Sequence, residues 1–265
     1  FFAIGAYGTA LLMMKLQMPF VLALLLAGFI AAFFGFLLGL PALRLEGPYL
    51  AVASLGFGLA IMHVIGHWQF FGGRTGIQAP PLDLGIPQLN LSLVLQTDSQ
   101  KYFLILVIAI VMVIAARNIM KTRVGRSFVA IRDSDIAAEV IGINLTIYKT
   151  LAFAISAFYA GIAGGLFGFV LGFFDPFTFN MMLSIIFLVM VVVGGLGSIS
   201  GPIMGAALIT YLQYSLLKNV SEMPVLGNVL VDVSNRWFTV MGLENINGIV
   251  LGLIVATVVL GPLAW

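Results

Sequence analysis

Long apolar runs, broken by short joints rich in glycine, proline and charge, set the pattern of this chain. A helix needs roughly 20 apolar residues to cross a hydrocarbon core about 30 Å thick. On that scale the runs predict eight spans, near 1–14, 19–40, 49–68, 102–118, 149–173, 180–197, 202–218 and 246–262. None shows the alternating segments of a membrane barrel, and in a bilayer only helices or closed barrels satisfy their own backbone groups. The expected fold is all-α, a polytopic transmembrane helix bundle forming one domain over 1–265. The first run begins FFAIGAYGTA without methionine and is too short to span alone, so upstream residues are expected to be missing or removed.

Composition sharpens the class. Of 265 residues, 62% are hydrophobic and 8% charged, against roughly 25% charged in soluble domains. A net charge of +2 is too small and too divided to suit nucleic acid. Cysteine is absent, which excludes disulfides, thiolate chemistry and cysteine metal sites within this sequence.

Charge then orients the spans. Arg117, Lys121, Arg123, Arg126, Arg132 and Lys149 are six of the twelve basic residues and flank one joint. Basic residues near span ends stay in the cytoplasm, so 118–148 is predicted cytoplasmic. Alternating outward from it puts Arg44, Glu46 and the C-terminus inside, and 69–101 and 219–245 outside. Within the spans, Gly35xxxGly39, Gly164xxxGly168xxxGly172, Gly197xxxGly201xxxGly205 and Gly248xxxGly252 repeat the small-residue spacing that lets helix backbones approach closely. GAYGTALL and SAFYAGIAGGL are loosely alike, which hints at an internal duplication.

The charged joint holds GRSFVAIRDSDIAAEVIGIN, residues 125–144. Ser134 or Asp133 is placed to cap a short helix whose first turn carries Asp135, favourable at the positive end of the helix dipole. Ala137, Ala138, Glu139, Val140 and Ile141 continue the helix, and Gly142 supplies a stop. From the residues alone, two readings carry similar weight. One is an ordinary basic loop; the other is a docking helix, with Ala137 and Ala138 admitting a partner's surface and Arg126, Arg132, Asp135 and Glu139 orienting it.

Other candidate chemistry is sparse. No G-x-x-x-x-G-K-[ST] loop occurs, so the chain is not expected to bind or hydrolyse ATP. His63 and His67 stand four apart near the outer end of a span, a metal-compatible spacing, but the neighbouring Trp68 suits an interfacial aromatic belt and no metal site is expected. Gly56 and Gly58 interrupt a span and either pack closely or open it to solute, with packing favoured. Tyr7, Thr9, Tyr49, Ser54, Ser156, Tyr159 and Ser184 are polar groups in apolar runs and candidates to line a pathway, although most such hydroxyls bond their own helix or a neighbour. Few formal charges lie deep in the spans, which disfavours a proton relay or an ion-coupled carrier. Asp175, before Pro176, is expected at an outer turn. Trp237, Phe238 and the pattern over 229–233 suggest an outer segment lying at the interface.

Four blocks together resemble the permeases of branched-chain amino-acid ABC transporters. They are the joint 125–144, LRLEGPYLAVASLGFGLAI (43–61), YKTLAFAISAFYAGIAGGLFG (148–168) and MVVVGGLGSISGPIMGA (190–206), with FFAIGAYGTALL resembling the family's early span. The likeness runs in order over nearly the whole chain. Departures are Asp135, where glutamate is frequent, Ser54, where threonine is common, the loop GGRTGIQ, and an ending GPLAW without the usual basic tail.

The resemblance implies the membrane subunit of an importer in a bacterial or archaeal cytoplasmic membrane. It implies a second homologous permease, two cytoplasmic ATPase subunits that bind ATP and Mg, and an external binding protein. Gly125, Arg126, Arg132, Asp133, Asp135, Ala137, Ala138, Glu139 and Gly142 would then meet the ATPases. The expected pathway residues are Tyr7, Tyr49, Ser54, Gly56, Gly58, Ser156 and Tyr159, and no cofactor is expected on this chain. Leucine, isoleucine and valine lead as solutes, followed by urea or short amides. Outside this class stand an ATP-independent channel or facilitator and a membrane-embedded assembly subunit.

Overall fold

The computed structural model describes residues 1–42, 48–80 and 98–220. Nine helices occur among them: α1 (Phe2–Leu16), α2 (Phe20–Ala42), α3 (Pro48–His67), α4 (Asp98–Lys121), α5 (Arg123–Asp133), α6 (Asp135–Val140), α7 (Leu145–Leu171), α8 (Met181–Gly194) and α9 (Ser200–Val220). Seven coincide with the first seven predicted spans. Four apolar stretches are long enough to cross a bilayer: Phe20–Pro41, Ser99–Lys121, Leu145–Leu171 and Pro176–Gly194, the last joining a 3₁₀ turn to α8. The expected span 246–262, Arg44, Glu46, Gly248, Gly252, Trp237, Phe238 and the pattern over 229–233 lie outside the described residues.

The core is built by α2 and α1 packing on α7. Close approach explains why small residues recur there. A Cβ at Gly5 would overlap the Gly161 carbonyl, one at Gly164 would overlap the Phe2 carbonyl, and one at Gly35 would overlap Ala157. With no hydrophobic driving force between helices in lipid, such backbone proximity supplies the dispersion energy that holds them. Gly39 lies against Thr150 in the same antiparallel α2–α7 seam. A second seam closes α8 on α9, where Gly194, Gly201 and Gly205 meet backbone to backbone. Two glycines of the repeated spacings do other work: Gly172 caps α7 with φ +72°, and Gly197 sits in the α8–α9 turn with φ +92°. The two loosely similar segments lie on α1 and α7, which cross at the Gly5–Gly161 contact.

Aromatic rings fill one end of this core. Tyr7 meets Phe174 edge-on at 5.0 Å between ring centroids, and Phe2 packs on Phe167, Phe179 and Phe187. Above them, β1 (Ile77–Gln78) pairs antiparallel with β2 (Phe173–Phe174) in the register Ile77↔Phe174 and Gln78↔Phe173. The all-α reading misses this pair because two residues are too few to show alternation. Lys15 lies over the Phe70 ring, 3.6 Å from its centroid, fastening the end of α1 to the turn after α3. Asp175 caps the turn at Pro176–Phe179, accepting from the Thr178 backbone at 2.8 Å.

The basic end of the bundle differs from the expected loop with one short helix. Residues 118–148 hold the end of α4, all of α5 and α6, and the start of α7. Local caps account for this extension: Thr122 Oγ1 accepts from the Gly125 N–H at 3.4 Å, and Asn144 Oδ1 accepts from the Ile147 N–H at 3.2 Å. The latter starts α7 four residues before the predicted 149.

Candidate functional site

At the basic end, α5 and α6 form a bent arm between α4 and α7. Gly125 is pressed onto the backbone of Met120 and Ile119, which leaves no room for a Cβ. Ser127 is buried and donates to the Arg123 carbonyl at 3.0 Å. The Phe128 ring stands edge-on to Tyr148 of α7 at 6.3 Å. Arm and span are thereby joined by packing as well as by chain.

Helix α6 begins as the sequence predicts. Ser134 Oγ accepts from the Ala137 N–H at 3.2 Å, and Asp135 in the first turn pairs with Lys149 of α7. At its far end Gly142 takes φ +86°, which lets Ile143 N–H reach the Ala138 carbonyl at 3.0 Å. Arg132 grips the Asp133 carboxylate through Nε at 3.2 Å and Nη2 at 3.0 Å. Its Nη1 faces the α8–α9 turn, 3.2 Å from where a Gly197 Cβ would stand. The arm therefore touches both α7 and the α8–α9 hairpin.

The two alanines divide. Ala138 is 1% exposed and faces the bundle, whereas Ala137 is exposed. The expectation that both admit a partner's surface is corrected for Ala138, which instead lets α6 lie close to the chain beneath. The outward face belongs to Ile136, Val140 and Ile141, exposed by 78%, 82% and 70%. Sequence reasoning left all three out of the candidate site. The signal was present: 136 and 140 share one helical face, and 138 falls on the opposite one. Glu139 on α6 and Arg126 on α5 are exposed and make no ion pair among the described residues.

The expected pathway residues also divide. Tyr159 is buried and donates its hydroxyl to the Met112 carbonyl of α4 at 3.2 Å. Ser156 donates to the Phe153 carbonyl of its own helix at 2.9 Å. Tyr7 is buried within the aromatic core, its hydroxyl without a hydrogen-bond partner among the described residues. Of the remaining hydroxyls, Thr9 bonds the Gly5 carbonyl of its own helix and Ser184 is exposed on α8. The other four expected residues lie on α3, where Tyr49, Ser54 and Gly56 are exposed and Gly58 is half-buried. Nothing described lies within 4 Å of a Cβ built at Gly56 or Gly58, so these glycines do not serve close packing against the described helices. Instead α3 is held mainly by the turns at its sheet end.

Long apolar helices, small-residue seams and a capped arm at one end define a polytopic helical membrane protein. The chain belongs to the branched-chain amino acid transport system / permease component family, whose profile matches residues 1–259. It is similar to two curated proteins, each called "High-affinity branched-chain amino acid transport system permease protein LivM", from Salmonella typhimurium and Escherichia coli. Each is 34% identical over 252 residues, covering 87% of this chain and 59% of the relative. The chain thus spans about 59% of the length of these relatives. No solved structure matches it.

Proposed function

We propose that the chain is the membrane-spanning permease of an ABC importer for branched-chain amino acids in the cytoplasmic membrane. The basic end faces the cytoplasm, where α6 receives one of two ATPase subunits. A second permease completes the pathway, and a binding protein delivers solute at the sheet end. The C-terminus lies in the cytoplasm by the alternation of spans.

One observation carries this reading: the apolar face of Ile136, Val140 and Ile141 stands in the open on a helix capped at both ends and pinned to α7. Those residues sit in a region too charged to be covered by lipid chains, so a protein groove is their natural cover. Glu139 at its margin and Arg126 on α5 would set register, and Arg132 would pass motion of the arm to the α8–α9 hairpin. The relatives' names support the solute class. For the pathway, the open face of α3 around Gly56 and Gly58 is favoured over Tyr7, Ser156 and Tyr159, which are committed to the core.

Reconstitution with the ATPases and binding protein tests the proposal through uptake of labelled leucine and urea. Leucine uptake that requires both ATP and the binding protein is the expected result. Urea uptake under the same requirements would keep the mechanism and overturn the solute, while flux indifferent to ATP would make the chain a facilitator.

A further inference from the structure

At the sheet end of α3 the chain's two histidines face each other. The His63 and His67 rings have centroids 4.1 Å apart and planes 35° from parallel. His67 Nδ1 lies 3.0 Å from the His63 carbonyl. Because a carbonyl only accepts, this bond puts the proton on Nδ1 and leaves the lone pair on Nε2 of His67 free. A backbone carbonyl bonded to one ring nitrogen is the arrangement that fixes tautomer and ring direction in metal-ligating histidines. Both side chains are exposed and line an open pocket of about 230 Å³ with Leu59, Met62, Gly66, Pro176 and Phe177.

We infer that His63 and His67 form a two-imidazole site for a borderline-soft divalent transition metal ion, of the Zn²⁺ and Cu²⁺ class. Imidazoles one helical turn apart can share an ion at about 2.0–2.1 Å from each nitrogen. No third histidine, cysteine, aspartate or glutamate joins them among the described residues. Water therefore completes the coordination, giving micromolar rather than structural affinity. The lack of a carboxylate also selects against Mg²⁺ and Ca²⁺, which require oxygen ligands. Cu²⁺ binds more tightly than Zn²⁺ at a nitrogen site. Pro176 and Phe177 wall the pocket beside the two rings.

The inference is independent of transport and is tested on the full-length permease complex, purified without a polyhistidine tag. Titration with Cu²⁺ and Zn²⁺ should show one saturable site per copy of this chain, from which neither Mg²⁺ nor Ca²⁺ displaces the bound ion. Electron paramagnetic resonance of the Cu²⁺ form should show two nitrogen ligands. His63→Gln and His67→Gln should each weaken Zn²⁺ at least about tenfold, a factor that corresponds to about 1.4 kcal/mol. Both positions are exposed, and an unchanged elution profile checks that the variants fold. No saturable Zn²⁺ binding below about 100 µM, equal to roughly 5.5 kcal/mol of binding, would overturn the inference. So would unchanged binding in both variants, or a Cu²⁺ spectrum with fewer than two nitrogens.

Discussion

Gly161→Leu should abolish the folded permease. The Gly161 Cα lies where α1, α2 and α7 meet: a Cβ there would stand 2.6 Å from Ala31 Cβ and 3.1 Å from Gly28 Cα, and Gly5 presses on its carbonyl. Backbone cannot yield as a flexible side chain does, so the helices must separate. Overpacking a single core position typically costs about 1–3 kcal/mol, and loss of the close seam in lipid adds to that. Size-exclusion chromatography of a fluorescent fusion should show the monodisperse peak lost. Gly56→Leu serves as contrast, because nothing described lies within 4 Å of that site. It should keep the peak and, where α3 lines the pathway, reduce transport several-fold. A monodisperse Gly161→Leu protein would contradict the packing described here.

Placing charge on the outer face of α6 should have the second large effect. In the double variant Ile136→Asp and Val140→Asp, both side chains point away from the bundle, so the membrane domain should fold and extract normally. An ATPase groove that covers them would have to bury two carboxylates without partners, at several kcal/mol each. ATP-driven uptake should fall at least about a hundredfold, which needs only about 2.8 kcal/mol. Co-purification of the ATPase with the permease reads assembly separately from transport. Full uptake with the ATPase still bound would contradict the assignment of this face.

Much of this architecture can be read in the sequence. Run length alone places seven helices among the described residues, because burial in lipid makes hydropathy the dominant signal. Cap chemistry is equally readable, and Ser134, Asp135 and Gly142 stand in the structure as their residue types require. Two kinds of feature are harder to see. Helix α5 hides inside a charged stretch, where its buried small residues, Gly125 and Ser127, carry no hydrophobic signature. The β1–β2 pair joins residues nearly a hundred positions apart through backbone alone. Tertiary context also decides which polar groups are spoken for. Tyr159 and Tyr49 look alike in sequence, yet one bonds Met112 in the core and the other stands in the open.

Cysteine cross-linking decides whether the outer face of α6 meets the ATPase, since this sequence contains no cysteine of its own. Ile136→Cys, Val140→Cys and Ala138→Cys would each be treated with a photoactivatable maleimide in the permease before the ATPase is added, then assembled with it and illuminated. Adducts to the ATPase subunit are expected from positions 136 and 140, with no labelling at buried position 138. Adducts from 136 and 140 that reach only lipid would contradict this contact.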